Sequence, residues 1–103
     1  MINLEKIKAM TWGIAVADAV GVPVEFKSRE FLKRKPVTDM FGFGSHYQPE
    51  GTWSDDTSMT IATMESISRL RIIDYVDLMK NFAQWYFEGE FTATGEVFDS
   101  VVF

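Results

Sequence analysis

Between Ser54 and Ile72 the apolar residues Met59, Ile61, Ala62, Met64, Ile67 and Leu70 fall on almost every face of a helix. Only a strip containing Glu65 and Arg69, an i,i+4 pair, is clearly polar. A helix apolar nearly all round is central and has to be surrounded by others. A chain of 103 residues holds scarcely enough protein to surround it. This one segment therefore predicts a helical core and apolar faces that the rest of the chain does not cover.

Two further helices frame it. Leu4, Ile7, Met10, Ile14 and Ala17 recur at helical spacing, with Asn3 as N-cap and Gly21 with Pro23 as a stop, so residues 4 to 20 read as a helix. Asp18 lies on the line Ile7, Thr11, Ile14, where a carboxylate faces apolar neighbours at a cost. Gly13, worth about 1 kcal/mol less than Ala in a helix interior, suggests a close neighbour. In the last helix Asp74 is the N-cap, Asp77 follows three residues later, and Ile73 is placed to staple onto Leu78. Tyr75, Leu78, Met79, Phe82, Trp85 and Tyr86 form its stripe, and Gly89 ends it.

From Gly21 to Trp53 no period is sustained. Pro23, Pro36, Pro49, Gly42, Gly44 and Gly51 mark a long loop region, in which the charged patch Lys27 to Lys35 reads as a solvated face, with a short helix as the alternative. Structureless stretches of this length in a compact domain are usually functional. No strand pair or internal repeat is evident, so the fold class is all-α with one long functional loop, in a single, incomplete domain over residues 1–103. The tail ends on the apolar run Val101, Val102, Phe103, which reads as an interrupted chain.

Composition narrows the function classes. At 47% hydrophobic and 24% charged residues the chain is ordinary globular protein rather than a disordered one. Its formal charge of −5 argues against a binder of nucleic-acid backbone. Zero cysteines exclude disulfides, thiolate metal sites and a cysteine nucleophile, so any metal is held by oxygen or by the single His46. Glu5 and Asp18 interrupt the N-terminal run that could imitate a signal peptide, and no run approaches the roughly 20 apolar residues of a membrane helix. The expectation is a cytoplasmic protein without membrane contact.

Three constellations could carry chemistry. Gly51-Thr-Trp-Ser54-Asp55-Asp56-Thr57 puts a hydroxyl and two adjacent carboxylates at the mouth of the second long helix, oxygen donors that suit a hard cation such as Mg²⁺. Spacing alone favours the plainer reading of Ser54 and Asp55 as helix caps, although two consecutive acids exceed what one cap needs. In Asp18-Ala-Val-Gly-Val-Pro-Val-Glu25-Phe26 the second acid sits in apolar company, where a carboxyl can be tuned for acid–base work. The alternative is a surface Glu25 and an Asp18 that caps nearby backbone. Gly42-Phe-Gly44-Ser45-His46 is a glycine loop whose amides could approach an anion, and His46 reads as a hydrogen-bonding loop residue.

Taken together, Asp18 to Phe26, then Met40 with the glycine loop, then Gly51 to Met59 resemble the ADP-ribosylglycohydrolase family in order and spacing. Gly95-Glu-Val-Phe-Asp99 resembles the family's next segment, so the likeness covers nearly the whole chain. It implies the N-terminal part of an orthogonal all-α helical bundle and a hydrolase that removes ADP-ribose from an arginine, serine or small-molecule acceptor. It implies two Mg²⁺ ions, with Mn²⁺ in some members, and Ser54, Asp55 and Asp56 as metal ligands. Glu25 would activate or orient water, Asp99, Gly44 and Ser45 would contact substrate, and Asp18 would be a structural acid near the site. The partner would be ADP-ribose or an ADP-ribosylated protein.

The sequence departs from the family pattern after Asp99, and Ser54 stands where threonine is commoner. The family's second metal motif, Asp-x-Asp-Thr, and its phosphate loop are absent from this chain. Hence a second reading is an inactive, truncated module that forms a homo-oligomer or complements another chain through its uncovered apolar faces. A third is an unrelated helical domain whose acids only cap helices.

Overall fold

The computed structural model describes residues 3–98. Asp99 and the apolar run Val101 to Phe103 lie outside the described residues. Those residues form helices and loops only, in two compact units that meet in sequence at Trp53 and Ser54. The chain is all-α.

The first unit opens with α1, Leu4–Gly21, whose N-cap Asn3 accepts a hydrogen bond from the Lys6 amide at 3.1 Å. A 3₁₀ turn, Val22–Val24, follows without a break, because proline tolerates the first turn of a helix while Gly21 keeps a right-handed backbone. Ala19, Val22 and Pro23 are the buried residues of this junction. Helix α2, Arg29–Arg34, is short and is capped by Ser28, whose hydroxyl accepts from the Phe31 amide at 3.0 Å.

Two expectations for α1 need correction. Nothing among the described residues lies within 4 Å of a Cβ built on Gly13, so no close neighbour accounts for that glycine here. The stretch Leu4–Val24 does have the length and mean hydropathy, 1.3, of a membrane-crossing helix. The charges Glu5, Lys6 and Lys8 cluster at its start, and beyond them only Asp18 interrupts it. The same test is met by the core helices of soluble proteins, and most of α1 is uncovered in this chain, with Met10, Trp12 and Val16 exposed.

The second unit pairs α3, Asp55–Leu70, with α4, Tyr75–Glu88. A left-handed Arg71 ends α3, and Asp74 starts α4 by accepting from the Asp77 amide at 3.1 Å. Gly89 closes α4 in the left-handed conformation, with its N–H donated to the carbonyls of Gln84 and Trp85. The buried residues of α3 are small or hydroxylated, namely Thr57, Ser58, Ala62 and Ser66, while Met64, Ile67 and Leu70 stay exposed. Close approach of two helices requires such small side chains. On α4 Asn81 and Trp85 are buried, and the Asn81 amide donates to the Ala62 carbonyl of α3 at 2.8 Å.

Candidate functional site

The site residues divide between the two units, and each set is built locally. In the first unit the glycine loop is fastened onto the turn that follows α1. Phe43 N–H donates to Gln48 O at 2.7 Å and Tyr47 N–H to Gly44 O at 2.9 Å, which closes the loop on itself. Gly44 lies against Pro23 so closely that a Cβ there would come within 2.6 Å of the Pro23 Cα and carbonyl carbon. Only glycine allows that approach. Ser45 then donates its amide to Pro23 O at 2.9 Å, and its hydroxyl reaches the carbonyl oxygens of Pro23, at 3.2 Å, and of Glu25.

These attachments bring His46 onto Glu25. His46 Nε2 stands 2.7 Å from Glu25 Oε2, with the histidine side chain 12% exposed and the glutamate 30%. An ionised carboxylate can only accept, so the Nε2 proton donates. Phe26 and the imidazole pack in a T-shaped arrangement at 5.6 Å between ring centres. Asp18, half-buried on α1, accepts the Val22 amide at its backbone carbonyl and so anchors the start of the same turn. Glu25, His46, Gly44, Ser45 and the Asp18 backbone therefore belong to one local construction. Gly44 and Ser45 serve in it by holding the loop against Pro23 and Glu25.

In the second unit Ser54 occupies the N-cap position of α3, with Asp55 and Asp56 in the first turn. The helix N-terminus favours ionised carboxylates there. Ser54 is 4% exposed, Asp55 is half-buried and Asp56 is exposed. Asn3, Ser28 and Asp74 each make a side-chain capping bond to their own helix, whereas Ser54 makes none. The plain capping role that spacing favoured for Ser54 is not what its side chain does.

As a cation site the donor set has the right chemistry, three consecutive hard-oxygen side chains. It is short in number, since Mg²⁺ takes about six oxygens and no group of three metal-ligating acids or histidines occurs among the described residues. Two features escaped the sequence reading. One is the pairing of Glu25 with His46 across a sequence separation of 21. The other is the left-handed backbone of Phe26, Phe43 and Tyr47 around that pair, with φ of 66°, 58° and 51°. Aromatic residues rarely adopt this conformation, and such strain gathers at functional sites. The only signal in the sequence was the glycines flanking Phe43.

The described residues thus place a serine and twin acids at one helix mouth and a histidine-held glutamate after the first helix. The chain matches the ADP-ribosylglycohydrolase family over residues 2–101, and it belongs to that family. It is similar to the ADP-ribosylarginine hydrolase Tri1 of Serratia proteamaculans strain 568, with 35% identity over 97 residues, 94% of this chain and 26% of that protein. Tri1 of Pseudomonas putida strain GB-1 is 34% identical over 93% of this chain and 25% of its own. The ADP-ribosyl-[dinitrogen reductase] glycohydrolase of Rhodospirillum rubrum is 33% identical over 71% of this chain and 26% of its own. The chain thus spans about a quarter of the length of the curated relatives it matches.

Proposed function

We propose that the chain is the N-terminal portion of one ADP-ribosylglycohydrolase domain, 1–103, that removes ADP-ribose from a modified acceptor, with the guanidinium nitrogen of arginine as the first choice. The carrying observation is Ser54. It is buried at the N-cap of α3 and is followed at once by Asp55 and Asp56, so a hydroxyl and two carboxylates meet at one helix mouth. Its family membership and the names of its relatives support the same reading.

In this reading Ser54, Asp55 and Asp56 would hold Mg²⁺, or Mn²⁺ in its place, as part of the family's binuclear arrangement. A bound divalent ion supplies electrostatic stabilisation and lowers the pKa of coordinated water. Glu25 orients and deprotonates the attacking water, and the His46 N–H holds its carboxylate in one orientation. Cleavage at an anomeric carbon passes through an oxocarbenium-like state, which a nearby carboxylate stabilises. Gly44 and Ser45 form the wall of the loop facing substrate, Asp18 supports the turn, and Asp99 contacts the ribose. A cytoplasmic setting, with no membrane or nucleic-acid partner, completes the proposal, in keeping with the charge of −5.

The test is a chimera in which this chain replaces the matching 97 residues of the Serratia relative. Release of ADP-ribose from ADP-ribosylarginine is expected in Mg²⁺, falling at least about 100-fold in Glu25→Gln, the order of effect of losing a general base. A folded chimera without release, or one indifferent to Glu25→Gln, would contradict the proposal. A second reading, assembly with itself or a complementing chain, is favoured by the exposed apolar face of Tyr75, Val76 and Met79 on α4. Light scattering that finds a strict monomer at high concentration would count against it.

A further inference from the structure

Phe26, Phe43 and Tyr47 are 83%, 59% and 76% exposed, a concentration of open aromatic surface in one loop region. Phe26 adjoins Glu25 in the chain and touches His46, Tyr47 adjoins His46, and Phe43 packs on Tyr47 at 5.0 Å between ring centres. The rings therefore gather beside the Glu25–His46 pair. All three stand on left-handed backbone, which aromatic residues rarely adopt and which gathers at functional sites.

The electrostatics select the occupant. From Pro36 to Trp53 there is no lysine or arginine, while Asp39 and Glu50 add to Glu25. The adjacent Lys27 is drawn away over the Phe31 ring at 5.3 Å. A planar cation would find ring faces on which to lie and a carboxylate to approach.

We propose that Phe26, Phe43 and Tyr47 form an acceptor platform on which the guanidinium of an arginine side chain lies as its glycosidic bond reaches Glu25. This rests on the glycohydrolase reading above and deepens it, by naming the residues that select arginine over acceptors without a planar cation. An ammonium has the same charge but cannot stack, so a lysine side chain should bind less well.

The test is an NMR titration of the chain with Nα-acetyl-arginine amide, using Nα-acetyl-lysine amide as the equal-charge control. The arginine probe is expected to shift the ring signals of Phe26, Phe43 and Tyr47, with the lysine probe roughly 3-fold weaker. Tyr47→Ala and Phe26→Ala singly should weaken arginine binding about 2- to 5-fold, and Tyr47→Phe should retain it. Equal response to both probes, shifts centred elsewhere, no response, or binding unchanged in both alanine variants would overturn the proposal. Mn²⁺ binding at Asp55 and Asp56, measured on the same samples, separates the two failures. Arginine selectivity without Mn²⁺ binding keeps the platform and removes the hydrolase reading, whereas Mn²⁺ binding without arginine selectivity removes the platform alone.

Discussion

Gly44 runs against Pro23, and the bonds that seat His46 on Glu25 depend on that contact. A Gly44→Ala change puts a methyl group into backbone that cannot yield as a side chain would, so the loop has to lift. His46 is the chain's single histidine, which makes the consequence measurable by mass spectrometry of its acylation with diethyl pyrocarbonate. The wild-type imidazole, 12% exposed, should react slowly, and both Gly44→Ala and Glu25→Gln should speed it severalfold. An unchanged rate in Gly44→Ala would show that the loop is not held in this way. The metal-binding candidates Ser54, Asp55 and Asp56 were legible in the sequence because they are adjacent. The Glu25–His46 pair was not, because loop closure through Gly44 and Ser45, not local spacing, brings the two together.

The ends of the helices were the most legible elements. Asn3, Asp74 and Gly89 do as caps what their positions imply, and α1 and α4 begin and end at or within a residue of the expected places. What periodicity misjudged is which face is buried. On α3 the apolar stripe is largely open and the buried line is Ser58, Ala62 and Ser66, because helices approach closely only over small side chains. On α4 the expected stripe splits, with Trp85 1% exposed and Tyr75 and Met79 open. Trp85→Ala should therefore destabilise the α3–α4 pair by about 3–5 kcal/mol, and Asn81→Ala by about 1–2 kcal/mol through its bond to Ala62. Tyr75→Ala should cost under about 0.5 kcal/mol. Urea denaturation followed by circular dichroism checks this order, and an equal effect of Trp85 and Tyr75 would refute it.

Acid links the same two helices. Asp77 on α4 accepts from Arg69 Nη2 at 2.6 Å and from the Ser66 hydroxyl at 2.5 Å, and Arg69 also bonds Glu65. The Arg69 guanidinium first, then the Ser66 hydroxyl, holds the Asp77 carboxyl below its ordinary 3.8, and Arg69 is pushed up in return. A carboxyl with a lowered value in the folded state stabilises fully above its unfolded value and loses that contribution as pH falls through the lowered one. Melting temperature should accordingly drop below about pH 4, and Asp77→Asn should flatten that part of the profile. The exposed Arg69 side of the network is screened, so the effect should be modest.

The whole molecule carries more apolar surface than it covers. Apart from Ala19, the apolar length of α1 is open or half-open, and so are Tyr75, Val76 and Met79 of α4. The chain spans about a quarter of its relatives' length, and its own described residues leave these apolar faces uncovered. The sequence already implied as much through the nearly all-apolar α3 pattern. It carried the family as well, because the Ser54 to Met59 string is contiguous and survives without any tertiary knowledge.

The central claim is that the mouth of α3 is there for a divalent cation and not to cap the helix. Paramagnetic broadening of backbone amide signals by Mn²⁺, with Mg²⁺ as competitor, tests it on this chain directly. The account expects broadening centred on residues 54–57, reversed by Mg²⁺ and abolished by Asp55→Asn with Asp56→Asn in a chain that melts as the wild type does. Broadening spread over the surface acids, or left unchanged in that double variant, would contradict it.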